Sequence, residues 1–196
     1  MDVRELPPVL PFHFFDLRLK SGKVPSYADL LDEEGFSEIE ILLKEEGIDL
    51  NIRVEKGFEK AFFPEVEKGD GLEFFVDTRG IRDVLIVHKY CHHFVFLPKE
   101  IDGISGAEVT RFKTNETREL ARRELLKVTT DLSKNRYTMH IHIPKEALFG
   151  YDIEEYPLLR FAYIVHRYGN EPNHFPKSNK EYNLKDQPSL WAELEG

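Results

Sequence analysis

Histidine placement is the first pattern in this sequence that could carry chemistry. His88, Tyr90 and His92 alternate, so their side chains share one face of an extended chain, and His140 and His142 share a face of a later segment. Neutral imidazole is a common ligand of zinc, nickel and copper. If the two segments pair as neighbouring strands, His88, His92, His140 and His142 predict a site for a transition-metal ion.

This metal site is one of two interpretations of the histidines. A metal-binding protein or metal-dependent enzyme would also need a carboxylate, and Glu73 and Asp77 are the candidates on a predicted strand. The single thiol does not complete the shell, because Cys91 would point to the opposite face from His92. The interpretation we favour from sequence is that the histidines are solvent-facing or hydrogen-bonded residues of a sheet.

Two further features suit the binding of a polyol or a sugar. Asp77 can accept hydrogen bonds from hydroxyl groups, and nearby Arg79 can donate to them. Trp191, the only tryptophan of the chain, can stack on the apolar face of a sugar ring. Each feature has a structural alternative that the sequence favours: an ion pair that fixes a turn, and a ring that plugs the open end of a core.

Established catalytic motifs are missing from the sequence. It contains no G-x-S-x-G, G-x-x-x-x-G-K-[ST], H-E-x-x-H, C-x-x-C or G-x-G-x-x-G. A binding role is therefore expected ahead of an enzymatic one, although the sequence leaves both open.

Composition limits the class of protein. The 196 residues suit one domain, and 41% hydrophobic residues suffice for a sizeable core. With 27 Lys and Arg against 36 Asp and Glu, the net charge of −9 disfavours nucleic acid and anionic membranes as partners. The sequence shows neither a secretory signal nor a membrane-length apolar run, so we expect a soluble, cytoplasmic protein.

Alternation of apolar and polar residues predicts strands. The segments 37–43 and 48–54 alternate around a turn at Glu46-Gly47 and predict a hairpin. Further strands are predicted at 72–78, 84–97, 137–143 and 161–167. The residues expected to face the interior are Ile39, Ile41, Ile52, Val54, Phe74, Val76, Met139 and Ile141.

Many short strands with few helical signals predict an all-β fold, an antiparallel β-sandwich or jelly roll with a few short helical turns. Short helical turns are expected at 26–31 and 145–149, whereas 116–127 stays open between helix and strand. We interpret residues 1–196 as a single β-sandwich domain, with 1–35 as an N-terminal extension or an edge strand plus a short helix.

Several short motifs occur in a familiar order. They are GDGLEFFVDTR at 69–79, YCHHF at 90–94 with FLP at 96–98, IHIP at 141–144 with LFGY at 148–151, and QPSLW at 187–191. In this order the sequence resembles the family-nine-like carbohydrate-binding modules of the DOMON-like β-sandwich group, from about Phe36 to the C-terminus.

The resemblance implies a jelly-roll-like sandwich that binds saccharides without cleaving them, sometimes with a structural calcium ion. The residues we expect at the saccharide are Asp77, Arg79, Tyr90, His92, Arg111 and Trp191. Better-known members hold the sugar ring between two tryptophans, whereas this chain has only Trp191. The other face of the ring would then be held by a tyrosine or phenylalanine, or the sugar by hydrogen bonds alone.

Overall fold

The computed structural model describes residues 18–81, 84–177 and 182–196. Within these ranges the chain forms twelve strands in two sheets, and its only helices are short 3-10 turns. The predicted all-β sandwich with a few helical turns is therefore confirmed. The turns span Asp29–Leu31, Val66–Lys68, Arg123–Leu125, Lys145–Ala147 and Pro188–Leu190. No helix in the described ranges is long and apolar enough to span a membrane.

One sheet has five antiparallel strands in the order β2-β3-β4-β9-β8. Its strands are β2 (Gly22–Lys23), β3 (Ser37–Lys44), β4 (Gly47–Val54), β8 (Lys127–Leu132) and β9 (Tyr137–Pro144). The predicted hairpin is β3-β4, in which Ile39 lies opposite Ile52 and Ile41 opposite Leu50. Between 116 and 127, which the sequence left open, the chain makes one 3-10 turn and then enters β8.

The second sheet has the order β1-β12-β10-β5-β6-β7, and β11 also pairs with β10. Its strands are β1 (Arg18–Lys20), β5 (Gly71–Asp77), β6 (Cys91–Ile101), β7 (Ile104–Glu108), β10 (Leu158–His166), β11 (Asn173–Phe175) and β12 (Ala192–Glu195). All of its pairs are antiparallel except β1 with β12, which are parallel.

The N-terminal part of the described chain closes one edge of the sandwich. β1 pairs with β12 in the seven-stranded sheet, and β2 pairs with β3 in the five-stranded sheet. Between them, the Ser21 amide donates to the carbonyl of Glu195, and its hydroxyl donates to the carbonyl of Ile41. Residues 18–23 therefore connect the two sheets as edge strands.

The main core lies between the two sheets. All eight residues predicted to face the interior belong to it, and none is more than 2% exposed. Their prediction succeeded because each comes from a strand whose alternation is set by burial against the opposite sheet.

The outer face of the seven-stranded sheet is also covered by apolar side chains, which the sequence did not predict. A second apolar cluster packs Leu184, Leu190 and Trp191 onto Phe75 and Cys91. A third places Ala61 and Val66 on Val95 and Leu97. As a result all seven residues of β5 are buried.

The strand predicted at 84–97 is placed wrongly at both ends. β6 begins at Cys91, so His88 and Tyr90 lie in the preceding turn and do not alternate with His92 on a strand. The strand also continues past Pro98 to Ile101, through an irregular pairing with β7 between Phe96 and Ile101. This irregularity lets the ladder pass a proline, which cannot donate to it.

Candidate functional site

A cavity of about 390 Å³ opens on the outer face of the seven-stranded sheet, between the two coverings of that face. Its floor includes Glu73 of β5 and His93 of β6. Its walls come from 64–67, from 109–113 and from 183–186. We call this space the ligand cavity. Its volume lies in the range of small-molecule sites, about 300–1,000 Å³.

Glu73 is a fully buried carboxylate beneath this cavity. Its Oε1 lies 2.7 Å from His166 Nε2, its Oε2 lies 2.7 Å from His93 Nε2, and Lys185 Nζ lies 2.9 Å from Oε2. An ionised carboxylate can only accept, so both imidazoles donate from Nε2. Burial alone would raise the pKa of Glu73, but the hydrogen bonds from His166 and His93 outweigh it and hold the pKa well below its usual range.

The wall of the ligand cavity contributes further polar groups. Arg111 lines the cavity and is exposed, and among the described residues it has no ion-pair partner. Lys113 also lines the cavity but is paired with Asp186 at 3.4 Å. Arg111 is therefore a guanidinium that can donate to a bound molecule without breaking an existing ion pair.

Trp191 stands in the wall of the ligand cavity and is only 1% exposed. Its ring lies 5.8 Å from Phe75, between ring centres, and its Nε1 donates to the carbonyl of Leu184 at 2.8 Å. The 3-10 turn Pro188–Leu190 places the ring there. This is the packing of a plug, the alternative that the sequence favoured over an exposed stacking platform.

His92 points into the sandwich and is completely buried, with its ring stacked on Phe94. The His92 Nδ1 atom lies 2.7 Å from Arg118 Nη2 and 3.0 Å from Glu108 Oε1, between a donor and an acceptor. Burial lowers the pKa of His92 below its ordinary value, against the opposing effect of Glu108. His92 is thus a neutral structural residue and not a group that faces a ligand.

Arg118 and Glu108 fix the chain segment that carries Arg111. The two side chains form a bidentate pair, at 2.5 Å and 3.0 Å, with both buried. Arg118 also donates to the carbonyls of Lys89 and Cys91. Burial alone would raise the pKa of Glu108, but His92 and Arg118 outweigh it and hold the pKa well below its usual range.

Asp77, Arg79 and Tyr90 lie outside the described lining of the ligand cavity. Asp77 accepts from the amides of Arg79 and Ile81, both at 3.0 Å, and so caps its own turn. The Arg79 guanidinium instead lies 3.5 Å from the ring centre of Tyr156 and 5.3 Å from that of Tyr90. The six residues expected at a saccharide therefore split into two groups. Only His92, Arg111 and Trp191 belong to the lining of the cavity, and the side chain of His92 is turned toward the interior of the sandwich.

The four histidines predicted to share a metal ion do not converge. His140 and His142 lie on β9 of the five-stranded sheet, where they contact Asn51 (2.8 Å) and Asp49 (2.6 Å). His92 belongs to the other sheet and points toward the interior. The prediction failed because β6 and β9 are strands of different sheets and are not neighbours.

The structural calcium ion that the family resemblance implies in some members stays a prediction for this chain. In the described parts of the chain the one group of three convergent His, Cys, Asp or Glu donors is Asp77, His88 and Cys91. Calcium takes about six to eight oxygen ligands, so the nitrogen and sulfur donors of this group suit it poorly.

Sequence reasoning missed the buried polar group of the ligand cavity: Glu73 as its centre, with His93, His166 and Lys185. One signal was available for Glu73. Its strand reads Leu-Glu-Phe-Phe-Val, and Phe75 on the same face as Glu73 indicates that this face is covered too.

The two stacked sheets define a β-sandwich with a ligand-sized cavity on one outer face. Within this class, the fold is that of the family 9 carbohydrate-binding modules. A module of this family from Caldicellulosiruptor kristjanssonii, solved with cellotriose, has a TM-score of 0.61 and 11% identity over 92% of each chain. A module of the same family from the same organism has been solved with glucose. It has a TM-score of 0.60 and 12% identity, over 91% of this chain and 94% of the other.

A third similar structure is a candidate carbohydrate-binding protein from Bacteroides uniformis. It has a TM-score of 0.55 and 13% identity, over 89% of this chain and 84% of the other. No model of a known protein family matches the sequence, and no curated protein matches it. The fold is thus shared with these structures. At such low identity, the side chains of a binding site can still differ.

Proposed function

We propose that this protein is a non-catalytic, carbohydrate-binding-module-like protein that binds a saccharide in the ligand cavity. The observation that carries the proposal is the polar floor of that cavity. Glu73 is held there by His93, His166 and Lys185, with Arg111 at the wall.

The chemistry of the ligand cavity suits a neutral polyol. Each sugar hydroxyl both donates and accepts, so its site needs groups of both kinds at fixed positions. Arg111 and Lys185 supply donors, Glu65 and Glu67 supply acceptors, and the amide of Asn183 supplies one of each. A volume of about 390 Å³ suits one or two sugar rings better than a long stretch of polymer.

The neighbours in fold support the same class of ligand. Two of those structures hold cellotriose and glucose. Glucose and short β-linked glucose oligomers are therefore the first ligands to test on this protein.

Recognition in this cavity is expected to rest on hydrogen bonds more than on ring stacking. Trp191 is too deeply buried to present its face to a sugar. The imidazole of His93, whose side chain is 15% exposed, is the flat ring at the floor. Affinity should then be weak and should depend strongly on hydroxyl stereochemistry, because an unpaired polar group in the site is costly.

Calorimetric titration with glucose, cellobiose and cellotriose tests the proposal. The parent protein should bind one of them with a dissociation constant up to the millimolar range, equivalent to about −4 kcal/mol or stronger. Arg111→Ala should weaken binding by roughly tenfold, since a hydrogen bond to a charged group contributes about 1.5–3 kcal/mol.

Arg53→Ala is the matched control. Arg53 is an exposed arginine of the five-stranded sheet, paired with Glu55, so its loss removes the same charge far from the cavity. Equal losses in the two variants would show that binding follows net charge and not this cavity. Absence of binding to any neutral sugar on a glycan array and in the titrations would overturn the proposal.

A further inference from the structure

Three donor side chains of different chemistry meet at one end of the seven-stranded sheet, away from the lining of the ligand cavity. Asp77 is the last residue of β5 and Cys91 the first of β6, and the two are direct partners in the ladder. The amide of Cys91 donates to the carbonyl of His88 at 2.9 Å, and this turn brings His88 toward the same pair.

The spacing of the donors is that of ligands around one ion. An oxygen of Asp77, a ring nitrogen of His88 and the sulfur of Cys91 all lie within 4.8 Å of one another. His88 Nε2 is 3.7 Å from Asp77 Oδ2, which is too long for a hydrogen bond. Tetrahedral zinc, with bonds of about 2.0–2.3 Å, holds its ligand atoms roughly 3.3–3.7 Å apart.

Two of the donors have unused bonding capacity. His88 Nε2 is buried and has no hydrogen-bond partner among the described residues. Each oxygen of Asp77 accepts one backbone amide, from Arg79 and from Ile81, and a carboxylate oxygen can accept a second bond. A buried polar atom without a partner is unfavourable unless something else satisfies it.

We propose that Asp77, His88 and Cys91 form a zinc site. A carboxylate, an imidazole and a thiolate are the donors that zinc takes, and the sulfur and nitrogen disfavour magnesium and calcium. On binding, the thiol gives its proton to solvent and the zinc–sulfur bond forms, so zinc with one carboxylate and one thiolate is electrically neutral. Water fills the fourth position.

Zinc binding also requires one particular tautomer of His88. Tyr90 now directs its amide to His88 Nδ1 at 3.3 Å, a long contact. A neutral imidazole that binds zinc through Nε2 carries its proton on Nδ1, so this contact is given up on binding. The His88 side chain is 13% exposed and that of Asp77 fully buried, so the ion reaches the site past the histidine.

The test uses the full chain, from which bound metal has been removed with a chelator. Cobalt or zinc is then added with no other ligand. Cobalt(II), a spectroscopic substitute for zinc, should bind at one equivalent with a thiolate-to-cobalt absorption band in the near ultraviolet. Zinc should displace it and raise the melting temperature, because a ligand of the folded state alone stabilises that state.

Variants separate this site from adventitious binding. Cys91→Ala should abolish the thiolate band, and His88→Gln should weaken metal binding at least tenfold, with the fold of each checked by circular dichroism. His142→Gln is the control, because His142 is a partly exposed histidine beside a carboxylate on the other sheet. Less than a tenth of an equivalent bound, no thiolate band, or an equal loss in the His142 variant would overturn the proposal.

Discussion

Glu73 accepts a hydrogen bond from His166 across 2.7 Å, although 93 positions separate the two residues in the chain. They meet because β10 pairs with β5, where Glu73 lies opposite Ile164 and His166 is its diagonal neighbour on the same face. Lys185 reaches the same carboxylate from the segment that covers this face. Glu73 therefore connects the sheet to its covering.

Removing the charge of Glu73 should destabilise the protein. Glu73→Gln places an amide donor against groups that already donate, and it leaves buried polar atoms unpaired. We expect a loss of about 1–3 kcal/mol in the free energy of unfolding, measured by urea denaturation. Glu38→Gln, on an exposed residue paired with Lys23, should stay within about 0.5 kcal/mol of the parent. Equal stability of the two variants would contradict this role of Glu73.

Acid should destabilise the folded protein through Glu73 and Glu108. Both carboxylates have a pKa in the folded state below the ordinary 4.5. A depressed pKa contributes stability that is fully present above the unfolded value and is lost progressively as the pH falls from there through the lower folded value, so the unfolding free energy should decline below about pH 5. Urea midpoints measured against pH should fall less steeply for Glu73→Gln than for Glu38→Gln; parallel curves would argue against it.

The inner faces of the strands were predictable because they obey a single constraint. Ile39 and Ile41 on β3, like Phe74 and Val76 on β5, alternate with residues of the other face, and burial against the opposite sheet fixes which set points inward. Alternation within one segment suffices for this inference.

The candidate site was not predictable in the same way, because it depends on contacts between distant segments. Which strands are neighbours decides whether His92 and His140 meet, and alternation carries no information on sheet order. Likewise, nothing near Glu73 in the sequence shows that Lys185 will reach it. Arg111 was expected at a saccharide and does line the ligand cavity, but its role there remains a prediction.

Truncation of Trp191 distinguishes a plug from a platform. The ring is buried against Phe75 and bonded to the carbonyl of Leu184, so Trp191→Ala should cost about 3–5 kcal/mol in stability, the range for a buried aromatic side chain. Trp191→Phe keeps most of the packing and loses the hydrogen bond, and it should cost less. Thermal melts measure both. If the alanine variant melts like the parent, the ring is not a plug, and a stacking role gains support.

Two arginines of the segment that follows β7 should differ in their contributions: one to stability and the other to saccharide binding. Arg118→Ala leaves the buried carboxylate of Glu108 without its bidentate partner, which should cost about 3–5 kcal/mol. Arg111→Ala removes an exposed side chain and should change stability by less than about 0.5 kcal/mol while weakening saccharide binding.

A double variant tests the reason for the larger loss. If the cost of Arg118→Ala comes from the unpaired charge on Glu108, then adding Glu108→Gln should recover part of the lost stability, because the carboxylate is no longer left buried and ionised. In a double-mutant cycle measured by urea denaturation, the double variant should then lose less stability than Arg118→Ala alone, so that the two single losses do not add. Simple addition of the two single losses would show that Arg118 stabilises the segment through its bonds to the carbonyls of Lys89 and Cys91 instead.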